Sequence, residues 1–153
     1  MNYKAPFYAI SLALYQTLAK SGNIEWFDSS VPIFEIEDYF KKQDEFAYGI
    51  IGAVKADCTP NDDMALWEVT TDLEVYSNYK GRKVIASHLE TLLNYLSSQE
   101  GWDALQGVLK ANGFSLWRIS VGSMQVNLPM YSDRGIWQSG ACSVTLAVSQ
   151  LEQ

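Results

Sequence analysis

Histidine is nearly missing from this chain, with His88 its only example, and that alone closes most routes to acid–base catalysis. Two cysteines, Cys58 and Cys142, lie far apart and match no metal-ligand or redox spacing, so two free thiols in a reducing compartment are expected. One histidine and two remote cysteines cannot assemble a zinc site. Basic residues are outnumbered: 11 Lys and Arg against 18 Asp and Glu leave a net charge of −7, the wrong sign for a duplex-DNA surface. No N-x-S/T sequon occurs, and no apolar stretch near the N-terminus has the length and flanks of a signal peptide. The longest apolar run, residues 48–54, falls far short of the ~20 residues a bilayer requires, so a soluble intracellular protein with no membrane partner is expected. Internal repeats, low-complexity tracts and linker-like segments are absent too.

What is present is a core-forming composition: 48% apolar and 13% aromatic over 153 residues, enough for one folded domain spanning 1–153. Its organising stretch is residues 66–96, LWEVTTDLEVYSNYKGRKVIASHLETLLNYL. In the first half Trp67, Val69, Thr71, Leu73 and Val75 alternate with Glu68, Thr70, Asp72 and Glu74, the period of a strand with one buried and one wet face. In the second half Ile85, Leu89, Leu92, Leu93 and Leu96 form the apolar stripe of an amphipathic helix. A turn at 77–81, with Asn78 and Gly81, joins them.

Upstream, Pro6 followed by Phe7, Ile10, Leu14 and Leu18 predicts a helix over 5–20, closed by Lys20, Ser21 and Gly22. Residues 24–27 read as a short strand and 46–57 as a strand thinned by Gly49 and Gly52, where glycine signals a bulge or a close approach. Residues 58–63 form a polar connector, so 46–57 and the organising strand make an antiparallel hairpin. Residues 29–45 fit a strand or a helical turn equally. Downstream, Gly101 breaks the helical pattern and Trp102, Leu105, Val108 and Leu109 resume it until Asn112 and Gly113. Residues 114–121 and 124–128 are one bent strand or a hairpin around Gly122 and Ser123. Residues 129–135 read as a loop, and 136–151 as a final strand with Cys142, Val144, Leu146 and Val148 facing in. The layout is α+β: a mostly antiparallel sheet with an N-terminal helix and a central helix packed on one face.

Chemistry-bearing constellations are sparse. There is no nucleophile elbow and no glycine-rich phosphate loop after a strand. His88 reads as a half-buried helix residue. Asp57, Asp62 and Asp63 crowd one connector but lack the spacing of a calcium loop. The 78–83 turn places Lys80, Arg82 and Lys83 beside a helix N-terminus, where amides attract anions, with Glu68 and Glu74 as ordinary ion-pair partners. The five tryptophans lack the basic interleaving of a single-strand nucleic-acid platform.

The order of these elements resembles the tail terminator, or tail-completion, proteins of the neck of long-tailed bacteriophages. The likeness is carried by LALYQTL at 12–18, the YGIIGAV strand at 48–54, and the strand ending in Val75, Tyr76 and Ser77. That triplet turns through Gly81 into a leucine-closed helix, and the SDRG loop at 132–135 precedes an alternating last strand. The stretch 33–46 and the helix at 102–111 depart from the pattern. The resemblance implies a virion structural protein, not an enzyme, with no cofactor and no metal. It implies a homo-oligomeric ring, a hexamer, at the head-proximal end of the tail tube, assembled in the host bacterial cytoplasm. Its partners are then copies of itself, the tail tube protein and the head–tail connector, with DNA passing through without specific binding; the acidic net charge separately suggests a channel surface that repels DNA instead of gripping it. Head–tail joining by such a ring needs heterologous contacts, for which open sheet edges are suited. The expected assembly-interface residues are the polar connectors: Asp57, Asp62 and Asp63; Tyr131, Asp133 and Arg134; and Asn78, Tyr79, Lys80 and Arg82 in the turn. The alternative is a small anion- or nucleotide-binding module using the 78–83 turn.

Overall fold

The alternation and helical spacing of the organising stretch translate directly into structure. A computed structural model describes residues 3–22, 24–31, 35–36, 46–60, 65–79, 81–132 and 135–151. In chain order the elements are α1 (Phe7–Ala19), β1 (Glu25–Asp28), β2 (Ala47–Pro60), β3 (Ala65–Ser77), α2 (Lys83–Leu96), α3 (Gln99–Ala111), β4 (Phe114–Val126), β5 (Met130–Ser132) and β6 (Gly135–Gln150). The sheet order is β1-β2-β3-β6-β4, with β5 added beside the start of β6. Among the described residues only the short β1–β2 pair is parallel; β2–β3, β3–β6, β4–β6 and β5–β6 are antiparallel. The expected α+β architecture is therefore the one observed.

One face of the sheet carries the core. Val69, Leu73 and Val75 of β3 and Cys142, Val144, Leu146 and Val148 of β6 are buried together with Ile10, Leu14 and Leu18 of α1, Ile85, Leu89, Leu92 and Leu96 of α2, and Leu105 and Leu109 of α3. Each such side chain contributes about 1.5–3 kcal/mol by leaving water. The other face is mostly polar and half exposed, with Glu68, Thr70, Asp72 and Glu74 alternating out of β3. At one end of that second face lies a smaller apolar cluster: Ile36 and Tyr48 are buried in it, with Phe27, Phe46, Ile50, Tyr76 and Trp137 packed around them.

Several sequence expectations change in detail. Phe7 is exposed, because α1 begins at that residue and its buried stripe is Ala9, Ile10, Ala13, Leu14, Thr17 and Leu18. Both strand glycines act as expected: Gly49 leaves room for the indole of Trp26, and Gly52 sits in the register shift between Ile51 and Val54. Gly101 does not break a helix. It lies in the first turn of α3, its amide bonded at 3.1 Å to the Ser98 hydroxyl that caps the helix. Its missing side chain lets the turn run against the Tyr95 carbonyl, where any Cβ would collide. Residues 114–126 form one strand, and the irregularity at Gly122 and Ser123 is a bulge. The largest change is at 129–135: Met130, Tyr131 and Ser132 are not loop but strand β5, paired to Trp137, Ile136 and Gly135.

Candidate assembly surface

The pairing of β6 defines the site. Gln138 to Ser149 pair with β3 on one side, and Gly140 to Gln150 with β4 on the other. Gly135, Ile136 and Trp137 reach beyond β3 and pair with β5 alone. The two strands thus leave the sheet as a narrow ribbon. An isolated two-stranded ribbon is marginal in water, so its root must be held. Asn127 does this on one strand: its amide donates to the Ser139 carbonyl at 2.9 Å, and its side-chain Nδ2 to Ser139 Oγ at 3.0 Å. Gln125 Nε2 in turn bonds Asn127 Oδ1 at 2.9 Å. Trp137 does it on the other, packing edge-on against Phe46 at 5.4 Å and Tyr48 at 6.2 Å between ring centres.

Beyond that root the ribbon presents large apolar side chains to solvent. Leu128 is 76% exposed, Met130 50%, Tyr131 77% and Ile136 47%. Tyr131 and Ile136 are cross-strand partners and therefore share a face. Met130 pairs with Trp137 and so lies on the opposite face from Tyr131 and Ile136, which means that the ribbon exposes apolar side chains on both of its faces. Of the expected interface residues, Tyr131 lies on this ribbon and is exposed, while Asp133 and Arg134 lie outside the described residues.

The other expected contact residues are dispersed. Asp57 belongs to strand β2 rather than to a connector, exposed opposite Glu68 with Lys55 Nζ at 4.0 Å, while Asp62 and Asp63 lie outside the described residues. In the turn after β3, Asn78 is structural: its Oδ1 accepts the Phe46 amide at 2.7 Å and its own amide donates to the Phe46 carbonyl. The Tyr79 amide donates to the Ser77 hydroxyl at 3.0 Å. Lys80 lies outside the described residues. Arg82 and Lys83 are exposed at the N-terminus of α2, which no side chain caps. The carboxylates expected to neutralise them are engaged elsewhere, because β3 turns both toward the opposite face from α2: Glu68 meets Arg118 at 2.8 Å and Glu74 accepts the Tyr76 hydroxyl at 3.0 Å.

Sheet edges offer less than the sequence leads one to expect. β1 has four residues. β4 is interrupted twice, between Leu116 and Arg118 and between Val121 and Met124. Its outward backbone is also covered: the Leu116 amide donates to Gln106 Oε1 at 2.7 Å, and Gln106 Nε2 donates back to the Leu116 carbonyl at 3.3 Å. A side-chain amide on α3 thereby takes the place of a neighbouring strand. Bulges and covered backbone are the devices that stop edge-to-edge pairing.

Where pKa values are shifted among the described residues, burial is the leading cause. Tyr76 is pushed up to about 12, mainly by desolvation and then by the Glu74 carboxylate. Partial burial lowers His88, and burial followed by the Asp72 charge raises the Cys142 thiol. Cys58 is exposed, Cys142 buried, and both are free. Among the described residues no helix is long and apolar enough to cross a membrane. No protein-family model and no curated protein matches this chain.

Proposed function

We propose that this chain is a structural protein that assembles with copies of itself, of the kind that ends the tail tube of long-tailed bacteriophages. In this reading it forms a ring, a hexamer, at the head-proximal end of the tube, halts addition of tube subunits and offers a face to the head connector. It works in the virion neck after assembly in the bacterial cytoplasm, and DNA passes through without being gripped. The observation that carries the reading is the projecting ribbon with Leu128, Met130, Tyr131 and Ile136 exposed on a chain of net charge −7. Like-charged copies repel over about a Debye length, ~8–10 Å in physiological salt, so they associate through surfaces that are apolar and locally uncharged. The test is to add the purified protein to polymerising tail tube subunits. Tubes that stop growing and carry a ring at one end in negative-stain images support the reading; tubes that elongate as before refute it.

The anion-binding alternative has one point in its favour, the uncapped amides of α2 beside exposed Arg82 and Lys83. Against it, Asn78 already has a structural task in holding Phe46. A phosphate or nucleotide titration followed by tryptophan fluorescence separates the two readings: saturable micromolar binding by a monomer favours the alternative.

A further inference from the structure

At the end of β6 away from the ribbon lies a groove of about 400 Å³, within the roughly 300–1,000 Å³ of small-molecule sites. The strand register builds it. Ala147 of β6 lies on its floor, flanked by its two cross-strand partners, Glu68 of β3 and Arg118 of β4. Those two close a salt bridge of 2.8 Å across the strand between them. Leu66 and Trp117 line the groove beside the pair. Trp117 is there because β4 bulges between Leu116 and Arg118. Leu116 and Ile119 pack in the core, and the additional residue lets Trp117 and Arg118, consecutive in sequence, both reach the outer face. The Trp117 indole stands 61% exposed, steadied by its Nε1, which donates to Ser149 Oγ at 2.7 Å. We propose that this groove binds a neutral saccharide, with one sugar ring against the indole and its hydroxyls on Glu68 and Arg118.

Four observations select that class of ligand. The first is the exposed indole: its electron-rich face attracts the polarised C–H groups on the apolar side of a sugar ring. The second is the polar edge. The salt bridge uses one guanidinium nitrogen and one carboxylate oxygen, and both side chains stay more than half exposed. N–H donors and an acceptor oxygen are therefore left side by side, which suits vicinal hydroxyls, since each hydroxyl both donates and accepts. The third is charge. Glu68 and Arg118 cancel, so the groove has no net charge with which to hold an ion, and a chain of −7 repels phosphate-bearing ligands such as nucleotides. The fourth is the floor. The Ala147 backbone is paired to β3 on one side and to β4 on the other, so a peptide laid in the groove finds none of the main-chain bonds that strand addition depends on. The proposal is independent of the self-assembly reading, which rests on the ribbon.

The test is saturation-transfer-difference NMR on the full chain. The probes are the methyl glycosides of glucose, galactose, mannose, rhamnose, N-acetylglucosamine and N-acetylgalactosamine, with adenosine as a neutral planar comparison. At least one glycoside is expected to receive saturation at its ring C–H protons. Its affinity is expected to fall at least tenfold in Trp117→Ala and in Arg118→Ala. Trp117→Phe keeps an aromatic face without the bond to Ser149, and is expected to stay within about threefold of the wild type. Far-UV spectra verify that each variant is folded, and the exposed Arg118 carries the test if Trp117→Ala does not fold. Three outcomes overturn the assignment: no transfer to any glycoside, transfer that the folded variants leave undiminished, or transfer to adenosine alone.

Discussion

Replacing Gln106 by alanine removes a side chain that covers the outer edge of β4, and its cost can be worked from two bonds. The short bond at 2.7 Å satisfies the Leu116 amide, and the longer one at 3.3 Å reaches the Leu116 carbonyl. Leu116 is buried, so water does not freely replace the lost acceptor. An unsatisfied buried amide costs about 1–3 kcal/mol, and the weaker bond adds a few tenths, giving about 2 kcal/mol for Gln106→Ala. For a domain of this size 1 kcal/mol moves the melting temperature by about 2–4 °C, so a drop of about 4–8 °C is expected by circular dichroism. Gln106→Glu sharpens the test. It keeps an acceptor for the amide but sets a carboxylate against the Leu116 carbonyl, so the folded state favours the protonated acid. A carboxyl whose pKa is raised on folding contributes stability at low pH and loses it as pH rises through the folded value. Gln106→Glu should therefore lie closer to wild type at about pH 4.5 than at about pH 7.5. A Gln106→Ala variant within 0.5 kcal/mol of wild type, or a glutamate variant without that pH trend, refutes the edge-cap argument.

Gly140→Ala should destabilise by about 1–2 kcal/mol in urea unfolding, since the new Cβ would meet Ile85 Cγ2 and Leu89 Cδ1 at 2.8 Å and the Gln125 carbonyl at 3.0 Å, while alanine returns only part of this by stiffening the unfolded chain. In a Leu89→Ala background the same change should cost less, because the added methyl enters the vacated space. Tyr76 should ionise late in a spectrophotometric titration, near 12, and earlier once Glu74→Gln removes the adjacent charge. Because its folded pKa lies above the ordinary value, the stability it contributes is present below about pH 10 and lost as pH climbs toward 12. His88 runs the other way. Its pKa is lowered by burial, so its contribution is complete above the ordinary histidine range and falls as pH drops below it; His88→Gln should flatten the urea midpoint between about pH 7.5 and pH 5.5.

The parts of the fold legible in the sequence are those where one element carries its own periodic evidence. β3 and α2 each bury a single face, so alternation and helical spacing name Val69, Leu73, Val75, Ile85, Leu89, Leu92 and Leu96 before any contact is known. Phe7 shows the limit of that logic, for an apolar period can continue one residue past the core it serves. β5 was illegible for a different reason. Three residues cannot display a period of two, and Pro129 beside Ser132 and Gly135 reads as loop chemistry. Tyr131 could be marked as a contact residue because it sat in an apparent loop. Leu128, Met130 and Ile136 could not, since apolar residues near a strand are assumed to point inward and only the overrun of β6 past β3 shows otherwise. Gln106 and Leu116 lie on different elements, so their pairing has no local signature at all.

Ile36 and Phe46, from the stretch after β1 that fits neither the resemblance nor a single local pattern, acquire a physical role through the aromatic cluster. Ile36 is fully buried beside Tyr48, and around them stand Phe27, Phe46, Tyr76 and Trp137. Tyr48 stacks on Tyr76 at 5.3 Å and Phe46 on Tyr48 at 6.4 Å, so rings from β2, β3 and the segment before β2 converge on the root of the ribbon. Aromatic pairs of this kind are worth about 0.5–1.5 kcal/mol each beyond the area they bury. The Phe46 backbone is itself clamped by Asn78 through both its amide and its carbonyl. The turn after β3 therefore positions Phe46, Phe46 positions Trp137, and Trp137 fixes the angle at which the ribbon leaves the sheet. Ile36 and the 78–79 turn therefore act on the ribbon from its root, through the aromatic cluster. They set the direction in which the ribbon leaves the sheet, so loosening either one should let that direction vary even though neither belongs to the ribbon itself.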